Sequence, residues 1–323
     1  MRHNTIAKLL FGVLLMVWGV APLIGQELQQ DWWSNGQYQI EDVADPVYSF
    51  DEEYMRDVPN LYIPKGKTGK LPVVIVIHGW GGTKEQMQPT AKLLASHGML
   101  VLVYTAMDQN QPFQWLDGLI AAYTLLEGEN RRPDSKIHNR VDLQKVALLG
   151  HSMGAAGVLH AAAMKWPNGL QGKIKTVVSM MPYHGTTNAF TDAVAGGKDK
   201  LGCDISATPN ATLIISGEVD NTNEPIGGYE FYQTLTKNKR VFFSLKGTSH
   251  LDWMKESGIG SKYYPVAMPI ITAWMLTYLC GESQYESYFK EGGFYFKNWV
   301  RPTLKGNVKV GRGTFPAFEI KEP

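Results

Sequence analysis

The pentapeptide Gly150-His151-Ser152-Met153-Gly154 has the form G-x-S-x-G. In that pattern a serine on a sharp strand-to-helix turn lifts its hydroxyl above a sheet, where it can serve as a nucleophile. So short a pattern also arises by chance, and is then only a Gly-Ser turn. Context separates the two readings. Val146-Ala147-Leu148-Leu149 is an apolar run leading straight into Gly150, and Gly154-Ala155-Ala156-Gly157 offers small residues to the helix that must begin there. A buried strand, a tight turn and a closely packed helix are what the chemistry requires. Ser152 is therefore the candidate nucleophile.

A serine hydroxyl is weak without a general base, and the base needs a third group to fix its tautomer. On such a framework the chain order is Ser, then Asp or Glu, then His. Eight histidines are present. His3, His78, His97, His138 and His151 precede the serine, His160 lies in the following helix, and His184 precedes the strand that must carry the acid. His250 remains, in Lys246-Gly247-Thr248-Ser249-His250, just past an apolar strand. For the acid, Gly217-Glu218-Val219-Asp220-Asn221 follows the run Ala211–Ser216. Asp220 is favoured because it sits far enough past the strand to reach an imidazole. Glu218 competes, though a structural hydrogen-bonding role suits it better, and Asp252 would break the order. Acyl transfer also needs backbone N–H groups aimed at the developing oxyanion. Met153, after the nucleophile, is one candidate. Trp80, in His78-Gly79-Trp80-Gly81-Gly82 after the first central strand, is the other.

These residues need a framework, and the chain supplies one. Apolar, β-branched runs are expected as strands at Leu71–Ile77, Met99–Tyr104, Val146–Leu149, Ile174–Met180, Ala211–Ser216 and Arg240–Leu245. Helical stretches are expected at Lys84–His97, Trp115–Leu126, Met153–Met164, Tyr229–Thr236 and Val266–Leu279. Such alternation builds an open, mainly parallel sheet flanked by helices. The expected class is α/β, an α/β-hydrolase fold in one domain over residues 26–280. Residues 31–70 read as short edge strands and turns, and residues 281–323 as a C-terminal extension of short strands packed on the domain. The connection from Met181 to Asn210 is too short for a separate cap domain.

The motifs resemble those of the bacterial cutinase and polyethylene terephthalate hydrolase group. The resemblance is carried by Leu94-Ala95-Ser96-His97-Gly98, Gly150-His151-Ser152-Met153-Gly154, Met181-Pro182-Tyr183, Val219-Asp220 and Gly247-Thr248-Ser249-His250, across residues 70 to 280. It implies an esterase acting on polyesters or lipids, with Trp80 and Met153 as oxyanion donors. Tyr183 would stand where that group has a mobile tryptophan, and Thr222 would be an apolar contact beside the acid. The chain departs from the group at Ala155 and Ala156, often glycines there, and at His151, often tryptophan. Its two cysteines do not match the group's C-terminal pairing. Acetyl-ester and chlorophyllase-like esterases share several of these features, and peptidases or acyltransferases can use the same triad.

The 323 residues carry 31 basic and 30 acidic side chains. That balance leaves no electrostatic footprint for nucleic acid. The N-terminus reads as a signal peptide over residues 1–25, with Arg2 and Lys8 before the apolar stretch Leu9–Val20. Twelve apolar residues are short of the ~20 that span a bilayer, so a secreted protein without integral membrane association is expected. Export permits a disulfide between Cys203 and Cys280 but does not require one. No cofactor and no metal are implied; the expected partner is an ester substrate, lipid or polymeric, and the chain is expected to act as a monomer.

Overall fold

Continuous apolar runs become strands buried on both faces, and this chain has six of them side by side. The structure is a computed structural model and describes residues 32–43, 50–110, 114–184, 205–223, 225–254, 264–290, 307–310 and 313–323. Contacts divide the chain into Met1–Trp32 and Trp33–Pro323, and every element below belongs to the second unit. Its strands are β1 (Ile40–Val43), β2 (Asn60–Pro64), β3 (Leu71–Ile77), β4 (Leu100–Tyr104), β5 (Val141–His151), β6 (Ile174–Met180), β7 (Ala211–Gly217), β8 (Arg240–Leu245), β9 (Asn307–Val310), β10 (Gly313–Pro316) and β11 (Phe318–Lys321). Its α-helices are α1 (Lys84–Ser96), α2 (Gln114–Arg131), α3 (Met153–Ala163), α4 (Pro225–Thr234) and α5 (Tyr264–Met275).

The main sheet runs β1-β2-β4-β3-β5-β6-β7-β8-β11. From β4 to β8 the neighbours are parallel, whereas β1, β2 and β11 extend the two edges antiparallel. Successive side chains of a strand face opposite sides. Val73, Ile75 and Ile77 accordingly join the core shared with α2, α3 and α4, while the intervening Val74 and Val76 are equally buried. The other layer is built from α1 and α5, which meet through Thr90 and Met268; Trp274 Nε1 of α5 donates to Thr176 Oγ1 of β6 at 2.6 Å. This is the α/β-hydrolase arrangement.

Element ends differ from the expected ones for local reasons. α2 continues past Leu126 to Arg131, because an amphipathic pattern can end before the helix does; an Arg131–Glu127 pair lies on the extra turn. β5 begins at Val141, with a register irregularity beside Val146 that hides its first half from an alternation test. α5 gives way after Met275 to a π-helical turn over Leu276–Cys280, closed by Gly281 at φ 83°. Beyond it, β9 and β10 form a hairpin. β11 pairs with β8 as the outer strand of the main sheet, and Glu319 on it accepts from Tyr229 Oη of α4 at 2.6 Å. The expected signal segment, Cys203 and residues 185–204 of the β6–β7 connection lie outside the described residues. Among the described residues no helix is long and apolar enough to cross a membrane.

Candidate active site

On an open parallel sheet, ligands gather at the carboxyl ends of the strands, where the strand order reverses. Here β3 lies between β4 and β5, so the reversal sits beside the loops that begin at His78 and Ser152. A cleft of about 660 Å³ opens there, lined among others by Trp80, His151, Ser152, Met153, Tyr183, Thr222, His250 and Leu251. A larger recess of about 960 Å³ lies between Phe50–Tyr54 and α2 and contains none of the candidate groups. Volume alone does not locate the chemistry.

Ser152 occupies φ 56°, ψ −119° between β5 and α3, a conformation costly for any residue with a Cβ. Surrounding bonds impose it. Its N–H donates to Met180 O at 2.9 Å, and its carbonyl accepts from the N–H groups of Ala155, Ala156 and Tyr183 at 3.0, 3.2 and 3.0 Å. Glycines make the turn fit. A Cβ on Gly79 would lie 2.6 Å from Ser152 Cβ, and one on Gly154 would lie 2.3 Å from His78 O.

His250 Nδ1 lies 2.7 Å from Asp220 Oδ2. A carboxylate only accepts, so Nδ1 carries the proton and Nε2 is left as the basic nitrogen. The Asp220 side chain is fully buried, and its Oδ1 accepts from the N–H groups of Thr222 and Asn223 at 2.9 and 2.8 Å. These bonds leave the carboxylate one orientation. Glu218 points elsewhere, accepting from Gly247 N–H at 2.7 Å. Asp252 accepts from Ser249 N–H at 2.9 Å. Both brace the loop that carries His250.

The loop after β3 is pinned from the loop after β4. Gly81 N–H donates to Gln109 Oε1 at 2.5 Å, and Gln109 Nε2 donates to Gly82 O at 2.9 Å. Trp80 Nε1 donates to Asn110 Oδ1 at 3.1 Å while the side chain stays 61% exposed over the cleft. Met153 is the first residue of α3, where an N–H has no acceptor within the helix and the helix end is positive.

Two further imidazoles flank the site. His78 Nδ1 lies 2.6 Å from Gly79 O, and Ala106 N–H donates to His78 Nε2 at 3.0 Å; burial lowers its pKa to about 4. His151 Nε2 lies 3.1 Å from His250 O, its ring 4.6 Å from that of His250 and 5.2 Å from Trp253. Burial, with the neighbouring His250, holds His151 well below the usual imidazole range. A carbonyl requires the proton on Nε2, so Nδ1 of His151 is an acceptor.

The structure thus brings Trp80, Ser152, Met153, Tyr183, Thr222 and His250 to one cleft with Asp220 behind it. Sequence reasoning missed Gln109 and Asn110, which bear no motif, and Asn223. Asn223 is buried, with Nδ2 at 2.8 Å from Met181 O and 3.3 Å from Ser152 Oγ. The run Asp220-Asn221-Thr222-Asn223 is an Asx-turn sequence, and that signal was there to find. Among the described residues no cluster of His, Cys, Asp and Glu is arranged as a metal site.

Comparison with known proteins bears on the family of the chain. Residues 57–294 match the family model described as PETase: PET hydrolase-like. Cutinase 1 of Thermobifida cellulosilytica is 25% identical over 260 residues, covering 79% of this chain and 84% of that one. A cutinase of Thermobifida fusca (strain YX) is also 25% identical over 260 residues, 79% of this chain and 73% of its own. A bis(hydroxyethyl) terephthalate hydrolase of Streptomyces coelicolor is 22% identical over 233 residues, 71% of this chain and 64% of its own. With the match spanning most of the chain, the protein belongs to the PET hydrolase-like family and is a carboxylic-ester hydrolase on the α/β-hydrolase fold.

Proposed function

We propose that the protein is a secreted serine esterase in which Ser152, His250 and Asp220 form the catalytic triad. His250 Nε2 takes the Ser152 proton as Oγ bonds to the ester carbon, and the carbonyl electron pair moves onto oxygen. The N–H groups of Trp80 and Met153 receive that oxyanion. Collapse expels the alcohol with the proton from His250 and leaves an acyl-enzyme, which water then hydrolyses with His250 as base again. The observation carrying this reading is the 2.7 Å His250–Asp220 contact at the cleft that holds the strained Ser152.

For substrate, the reading is a lipid, cutin-like or aromatic polyester. Trp80, Tyr183 and Thr222 line the cleft, offering aromatic and methyl surface to acyl chains or aryl units. The names of the relatives, cutinase and bis(hydroxyethyl) terephthalate hydrolase, support the same class. Export is supported by the charged and apolar pattern of residues 1–25. Ser152→Ala tests the reading: kcat on p-nitrophenyl esters should fall by about 10⁶ while the far-UV spectrum is kept, and fluorophosphonate labelling should vanish. Residual activity of a few per cent would move the nucleophile elsewhere. Rates on matched ester and amide substrates decide against a peptidase.

A further inference from the structure

We infer that Asn223 is a third donor of the acyl-transfer machinery, holding the Ser152 oxygen as it leaves the acyl group in the second half of the reaction. The inference rests on the serine-esterase reading and adds to it a residue outside the triad and the oxyanion loops.

The geometry begins with the orientation of the amide. Asn223 has one side-chain atom 2.8 Å from Met181 O. A carbonyl oxygen only accepts, so that atom is Nδ2, and the reversed amide would set two acceptors against each other. The same Nδ2 lies 3.3 Å from Ser152 Oγ. With an N–H aimed at it, the serine oxygen is an acceptor on that side, and its own proton is free to face His250 Nε2. The backbone N–H of Asn223 meanwhile donates to Asp220 Oδ1 at 2.8 Å. One residue therefore touches the nucleophile with its side chain and the acid with its main chain.

The remaining atom of the amide argues for function. Asn223 Oδ1 is buried and has no hydrogen-bond partner among the described residues. An unsatisfied buried acceptor is costly, and an apolar residue of the same size would fill the space without that cost. What an apolar residue cannot supply is the N–H at Ser152 Oγ. Met181, the other acceptor, is itself held at φ 48°, so the amide ties the nucleophile to a strained neighbouring turn.

Bond order explains where the donor matters most. In the free enzyme Oγ is a hydroxyl oxygen and already a good acceptor. In the acyl-enzyme Oγ is the alkyl oxygen of an ester, a poor one. Deacylation breaks the Oγ–acyl bond, returns the electron pair to Oγ, and delivers a proton to it from His250. Negative charge grows on Oγ along that path, so the Asn223 bond strengthens from ground state to transition state. Interactions of that kind raise the rate of the step in which they strengthen. Asn223 gives a hydrogen bond and keeps its own protons throughout.

The test is a comparison of wild type with Asn223→Ala and the uncharged, nearly isosteric Asn223→Leu. Both keep the backbone N–H to Asp220, and the second keeps the shape if the first does not fold. On a p-nitrophenyl ester, stopped-flow separates the burst (acylation) from the steady state (deacylation). The expected result is a steady-state kcat lower by roughly tenfold to a hundredfold, with a burst rate changed less than a third as much and a KM that falls with kcat. The acid limb of the pH profile should stay in place, since the Asp220–His250 contact is untouched. Equal losses in burst and steady state, a displaced pH limb, or activity within twofold of wild type in both variants would each overturn the inference. Fluorophosphonate labelling of wild-type Ser152 keeps the two readings apart. Labelling with no kinetic split refutes the role of Asn223 alone, whereas no labelling refutes the serine nucleophile and this role with it.

Discussion

The imidazole of His78 must be neutral for the loop after β3 to hold its shape, and this makes the fold sensitive to acid. Gly79 O accepts from Nδ1 at 2.6 Å, so that nitrogen carries a proton; Ala106 N–H donates to Nε2 at 3.0 Å, so that one cannot. A second proton would place two N–H groups head to head in a site with no solvent exposure. Burial accordingly lowers the folded pKa to about 4 from the ordinary 6.5. Because the folded value is the lower one, the unfolded chain binds more protons between those limits. Stability is then at its full value above about pH 6.5 and falls as pH drops toward 4. Between pH 7 and pH 5 the two values give a loss of about 2 kcal/mol from His78. His160, buried in α3 with its pKa lowered to about 3, contributes about 2 kcal/mol more by the same reasoning, and His151 acts in the same direction. Against a total of roughly 5–15 kcal/mol, that is a large fraction. Urea unfolding at pH 7 and pH 5 measures it. His78→Asn should be less stable than wild type at pH 7 but should lose about 2 kcal/mol less on going to pH 5. Identical pH slopes for the two proteins would refute a buried neutral His78.

Three other outcomes follow from named contacts. Asp220→Asn should lower kcat by about 10⁴ by releasing the His250 tautomer, whereas Glu218→Gln, which keeps an acceptor for Gly247 N–H, should cost less than about tenfold; the reverse ranking on a soluble ester would assign the acid to Glu218. Tyr183→Ala should cost more on an insoluble polyester than on a short p-nitrophenyl ester, and equal losses would make Tyr183 a packing residue. Cys280 is a free thiol whose pKa burial raises to about 12. It should react slowly with thiol reagents in the native protein, and the denatured, unreduced chain should titrate two thiols; none would show a bridge to Cys203.

How much of this was legible in the sequence depended on how local each signal was. β3, β6 and β8 could be read to the residue because their β-branched, apolar and aromatic residues stay in one short run even where polar residues interrupt it: β3 is apolar throughout, whereas β6 carries Lys175, Thr176 and Ser179 and β8 carries Arg240 and Ser244. The elbow could be read because one of its steric demands is local, Gly150 lying against Gly154 and Ala155, although the demand on Gly154, which has to pass His78 O, comes from a distant strand end. Chain order singled out His250, which the structure places 2.7 Å from Asp220. For β11 a short strand packed on the domain could be expected, but its place in the main sheet could not be read. It is short and half polar, and its place beside β8 depends on pairing with a strand more than seventy residues earlier. The same limit hid the loop after β4: Gln109 and Asn110 are ordinary loop residues until folding sets them 2.5 and 3.1 Å from the Gly81 N–H and the Trp80 indole.

Asn223 marks the boundary between these cases. Its backbone role is local, since an aspartate three residues earlier in a turn accepts its N–H as Asx-turns do. Its side-chain role is not, because Met181 and Ser152 lie 42 and 71 residues away along the chain. Those partners come together only because β5, β6 and β7 are adjacent and parallel in the sheet, which delivers Ser152, the Met181 carbonyl and the Asp220 turn to one edge. A residue of this kind is invisible to a motif and evident in a topology. The parallel sheet does more than present loops: by fixing which strand ends are neighbours, it decides which main-chain carbonyl can orient an amide toward Ser152.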